Sequence, residues 1–289
     1  MPSESVQQIL AVFEVGLLLA GAFLLLRLAV DPARRSRWLH ANNLPSWPLS
    51  VADFAALLVL LFGCALFLQT AGRTLLGDII SKTTDRPAME VIFYGTTFHV
   101  GVLLGWVLFP GTRRRWLANA GAVPAPTIVP PGPRLSWAKV LRYGAGTVLA
   151  VFPLLVLLNL GWLFMLHQLG LPDEPQDLIA IFSHAKSPFV IAGLLLVACV
   201  IAPLSEELIF RAGLYRFCRQ RMGRTGALLI CGGVFGAVHA NLAGFLPLAL
   251  LGAGLALAYE VTGDIRVAVA AHGLFNLLNT IFVFSSFPQ

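Results

Sequence analysis

The chain has 289 residues, of which 57% are apolar and only 12% charged, with a net charge of +6. Soluble domains carry roughly 25% charged residues, so this composition argues against a water-soluble globule. The apolar residues also lie in long blocks, each near the ~20 residues that a helix needs to cross a bilayer. The expected fold class is all-α: a polytopic transmembrane bundle of about eight helices embedded in a lipid bilayer.

In chain order the blocks span about 8–30, 50–70, 89–109, 143–166, 188–210, 226–243, 246–262 and 266–285. The first does not read as a removable signal peptide: Glu4 stands where a basic leader would be, and no small-residue cleavage pattern follows. Basic residues gather in alternate joints, with Arg34, Arg35 and Arg37 after the first block and Arg113, Arg114, Arg115, Arg134 and Lys139 after the third. Arg216, Arg219, Arg221 and Arg224 follow the fifth, whereas the intervening joints are mixed or acidic, with Asp78, Asp85, Asp173, Glu174 and Asp177. The positive-inside rule then puts the basic joints in the cytoplasm and both termini outside. Trp38, Trp116 and Trp137 flank the basic joints as an interfacial belt would. So distributed, the charge orients the chain in a membrane and gives no reason to expect a nucleic-acid partner. The expected location is the plasma (inner) membrane.

Between Gly111 and Ser136 stand Pro124, Pro126, Pro130, Pro131 and Pro133, too many for a helix. This divides the chain into a three-helix membrane region (1–110), a Pro-rich cytoplasmic linker (111–139) and a polar-residue-bearing region (140–289). The last three blocks are joined tightly through Gly244 and Gly263, as helical hairpins or re-entrant turns require. Cys64, Cys199, Cys218 and Cys231 lack CxxC spacing and suggest neither disulfides nor a thiolate metal site.

The fifth block ends in Ser205-Glu206-Glu207-Leu208-Ile209-Phe210-Arg211. A buried charge loses several kcal/mol unless it is paired, so carboxylates at membrane depth tend to face a polar cavity and to function there. Glu207 and Arg211 lie one helical turn apart and can pair, which leaves Glu206, rotated about 100° away, as the candidate base. A solvated helix end would explain the same residues, but Pro203 points to an opened, functional turn. In the sixth block Phe235 precedes His239 by one turn, and His239 stands about 20 Å along the helix. The eighth block offers His272 and Asn276 on one face. His99 and Glu14, alone in their blocks, read as packing residues. Glu, His, His and Asn together supply a base for water and donors for an oxyanion. Two histidines and a carboxylate can also hold a divalent ion, although no HExxH motif is present.

These three segments resemble the CAAX prenyl endopeptidase and bacteriocin-processing family of intramembrane proteases, the CPBP or Abi family, whose pattern is EExxxR, FxxxH and HxxxN in that order. Glu206, Glu207 and Arg211 fit the first motif, Phe235 and His239 the second, and His272 and Asn276 the third, within about 140–289. The resemblance implies an intramembrane endopeptidase acting on membrane-associated or CAAX-like peptides. In it Glu206 and His239 hold and activate water, His272 and Asn276 stabilise the oxyanion, and Glu207 with Arg211 fixes the first motif. It also implies a divalent metal, zinc by preference, on Glu206, His239 and His272. Because Glu206 and His272 stand roughly 10 to 15 Å from basic joints, the site is expected to open toward the cytoplasmic leaflet. Two other readings remain: an inactive scaffold or immunity protein that keeps the fold, and a transporter, against which the lack of repeated halves counts.

Overall fold

The computed structural model describes residues 4–41, 43–44, 49–119, 134–174, 181–182, 184–185 and 187–286. Helices α1 (Glu4–Val30), α2 (Pro32–Leu39) and α3 (Val51–Ser81) are followed by α4 (Arg86–Glu90), which runs through a π-helical turn at Val91–Gly95 into α5 (Thr96–Asn119). The 32-residue α6 (Trp137–Gln168) comes next. Then α7 (Pro188–Leu196) and α8 (Ala202–Glu207) are joined by a π-turn at Val197–Ile201, and a second at Leu208–Tyr215 leads into α9 (Arg216–Ala237). Two helices close the chain, α10 (Leu242–Thr262) and α11 (Ile265–Ser286).

Among the described residues seven helices are long and apolar enough to cross a membrane, and the molecule is an all-helical bundle. One of the seven runs 50 residues, Pro188–Ala237. It is bent at Gly223, whose φ of 74° no ordinary side chain adopts readily, so the fifth and sixth apolar blocks are its two arms. Leucines, valines and phenylalanines on the outer faces, such as Val12, Leu19 and Phe23 of α1 and Leu157 and Phe164 of α6, are exposed. In water such a face would be a liability; in a bilayer it meets lipid.

Lipid removes the hydrophobic drive between helices, so close packing must hold them together, and small residues permit it. A Cβ on Gly101 would sit 2.4 Å from the Ala65 Cα and one on Gly105 2.8 Å from the Leu61 Cα, which fixes α3 and α5 as an antiparallel pair. A Cβ on Gly232 or Gly236 of α9 would likewise stand 2.4 Å from the carbonyl oxygen of Ala249 or Phe245 on α10. α1 packs chiefly on α6, while α3 and α5 pack on each other. α5 continues to Asn119, nine residues into the segment expected as linker, and the prolines from Pro124 to Pro133 lie outside the described residues.

The joints sort into two ends. At one, Arg224 donates to the Trp38 and Leu39 carbonyls and Arg221 to that of Leu49 at 2.6 Å. Arg266 there donates to the Leu135 carbonyl at 2.8 Å. At the other, the Asn241 carboxamide donates to the Glu174 carbonyl at 3.0 Å and the Trp162 indole to that of Leu242 at 2.8 Å. The basic joints thus share one end, as the alternation in the sequence predicts. Asp264 belongs to that end: burial pushes its carboxyl up, but bonds from the Arg266 side chain and from the Arg266 and Leu135 amides outweigh this and hold it below the usual carboxylate range.

Candidate active site

The long helix α7–α9 is built to open at its middle. Pro203 has no N–H, and in the π-helical register just before it the Ala202 N–H bonds to the Val197 carbonyl, five residues back. The next carbonyl, Ala198, instead accepts from the Asn276 carboxamide of α11 at 2.7 Å. The proline therefore creates the acceptor that anchors Asn276. One turn on, α8 delivers Ser205, Glu206 and Glu207 between two π segments, a deviation common at functional sites.

Glu207 and Arg211 form the pair their spacing predicts, 2.9 Å apart with both side chains fully buried. Arg211 also donates to the Gly252 carbonyl at 3.1 Å and lies over the Phe235 ring at 4.5 Å. The Glu207 oxygen that takes Arg211 accepts the Nδ1–H of His272 at 2.8 Å as well. Glu207 thereby does more than hold its own helix: it sets the tautomer and angle of His272 and turns Nε2 outward. Glu206 points the other way, 21% exposed, with its Oε2 buried and unpartnered and 3.8 Å from His272 Nε2.

His239 departs from expectation in one respect. α9 ends at Ala237, so His239 stands on the turn after the helix, at the end of the bundle opposite the basic joints, and not deep within a helix. Its Nδ1–H donates to the Phe235 carbonyl at 2.7 Å, leaving Nε2 for the cavity. Phe235, fully buried, holds the group together, with its ring edge-on to those of His239 at 4.9 Å and His272 at 5.5 Å.

A cavity of about 590 Å³ is lined by Glu206, His239, His272 and Asn276 together with residues of the N-terminal helices, among them Arg73, Glu90, Tyr94 and His99. That is within the usual range of small-molecule and peptide pockets. His99, expected as a packing residue, lies on this wall, and its Nδ1 meets the Ser205 hydroxyl at 2.7 Å while that hydroxyl also donates to the Ala202 carbonyl at 3.1 Å. The signal for it in the sequence was depth alone, a polar residue in an apolar block. Glu14, read in the same way, does not line the cavity.

The donor set suits a metal in kind: two imidazoles with Nδ1 engaged and a carboxylate oxygen without a partner. Among the described residues no three His, Cys, Asp or Glu side chains stand together around one point.

Residues 188–278 match the family model of the Rce1-like type II CAAX prenyl endopeptidases. The recognition made from the three motifs is thereby borne out over that segment, which runs from the start of α7 into α11 and contains every motif residue from Glu206 to Asn276. At family level it supports a CAAX-type intramembrane endopeptidase, and the multi-pass membrane character agrees with it. No curated protein and no solved structure matches the chain.

Proposed function

We propose that the chain is an endopeptidase that hydrolyses peptide bonds within the bilayer by glutamate-activated water. The observation that carries this reading is the convergence of Glu206 Oε2 and His272 Nε2, 3.8 Å apart, on a cavity that His239 and Asn276 also line. A water at Glu206 loses a proton to the carboxylate as its oxygen attacks the peptide carbonyl carbon. The resulting oxyanion takes a hydrogen bond from the second N–H of Asn276, whose first is spent on Ala198. The C–N bond breaks as the leaving amine takes a proton, returned from Glu206 or passed by His239 Nε2. His272 keeps the water in place through an Nε2 that Glu207 orients from behind.

The substrate class is a membrane-associated peptide or protein, since the cavity lies among helices whose outer faces meet lipid. The test is to profile cleavage of a mixture of membrane peptides by purified, lipid-reconstituted wild type and Glu206→Ala, each with and without a chelator. Cleavage by the wild type alone supports the peptidase, and chelator resistance supports glutamate-activated water. Identical product profiles from two folded preparations would overturn it.

A further inference from the structure

The cavity runs from the motif residues toward one end of the bundle. Its wall follows α11 from His272 through Asn276 to Thr280, and α3 from Gln69 to Arg73, in both cases away from the basic joints. It ends at Pro87, Glu90 and Phe182, at the same end as His239. Toward the basic joints the path is closed. Beyond Glu207 and Arg211 stand Tyr215, Arg216, Tyr259 and Glu260, each no more than 2% exposed. Tyr215 donates to Glu260, and Arg219 pairs with that carboxylate at 2.9 Å, so this layer is a bonded plug.

The two ends differ sharply in charge. Arg34, Arg35, Arg134, Arg221 and Arg224 belong to the closed end, whereas among the described residues the open end carries only Arg73, Lys82 and Arg86 as cations. Lysine and arginine stay on the cytoplasmic side of a bilayer. We infer that the active site opens on the non-cytoplasmic face, and that its substrates are polypeptide segments exposed there, such as a translocated peptide or the outer flank of a membrane protein. A cytoplasmic peptide would have to displace the Tyr215–Glu260 layer to reach Glu206. The substrate part of this inference rests on the peptidase reading; the orientation does not.

The test therefore reads orientation without activity. In a bacterial inner membrane, with the four native cysteines replaced, single Lys82→Cys and Arg35→Cys variants are treated in spheroplasts with a membrane-impermeant maleimide. Lys82→Cys should label at once and Arg35→Cys only after detergent; the reverse pattern overturns the proposal. If the cysteine-free chain does not accumulate, the unaltered chain fused at its C-terminus to alkaline phosphatase or to a green fluorescent reporter gives the same answer. Phosphatase activity without fluorescence supports the proposal, and fluorescence without phosphatase activity overturns it. A peptide cleaved only by proteoliposomes with the basic end outward would overturn the access route while leaving the peptidase intact. Loss of the difference between wild type and Glu206→Ala would do the opposite.

Discussion

Replacing Arg211 by alanine removes the partner of a carboxylate with no exposed surface. Glu207 would keep only the His272 Nδ1–H, and the Gly252 carbonyl and the face of Phe235 would lose their contacts as well. Breaking a buried pair from one side costs about 3 to 5 kcal/mol, because the remaining charge is left in a medium that solvates it poorly. At 1.4 kcal/mol per decade this lowers the folded-to-unfolded ratio by about two to three and a half orders of magnitude. In lipid nanodiscs, thermal unfolding followed by helix signal should shift strongly downward, and the amount of folded protein recovered should fall. The double variant Glu207→Leu with Arg211→Met separates the two roles of the pair: with no charge left to strand, it should recover most of the lost stability. It should still fail to cleave, because nothing orients His272. An Arg211→Ala protein that melts and accumulates like the wild type would refute the buried-pair account, and a double variant with full activity would refute the orienting role of Glu207.

Asn276→Ala should lower turnover by about 10²-fold if its second N–H meets the oxyanion, and it also frees the Ala198 carbonyl, so helix content and cleavage should be measured on the same sample. His99→Phe tests the wall residue that the sequence suggested as packing: it removes the bond to Ser205 and fills cavity space, and KM for a peptide should rise more than kcat falls. Asp264 gives a pH signature. Its carboxyl titrates below the usual range when folded, so its stabilising contribution is complete above that range and disappears as pH falls through the depressed value. Asp264→Asn should remove that acid-dependent part of the melting curve and leave neutral-pH cleavage unchanged.

The helical class and the spanning blocks were legible because a bilayer imposes one length and one polarity on every crossing element. The Glu207–Arg211 pair was legible because i,i+4 spacing is a property of the helix itself. Three features were not. The partnership of Glu207 with His272 bridges 65 positions in sequence, and no local periodicity encodes it. The position of His239 depends on where α9 stops, ahead of Ala240, whose φ of 49° no periodicity in the sequence signals. His99 joins the site only because the glycines of α5 bring that helix against α3 and beside α8. The end toward which the cavity opens was not legible for a related reason. Distance from Glu206 to a basic joint can be counted along a helix, but which way is plugged depends on Tyr215 and Glu260 meeting across two helices.

The central claim is that the Glu206 carboxylate activates the attacking water. Glu206→Gln tests it most directly, since the amide keeps the shape and removes the base. In reconstituted protein with an unchanged melting temperature, kcat on a peptide cleaved by the wild type should fall to background while peptide binding persists. Wild-type turnover by folded Glu206→Gln would contradict the account.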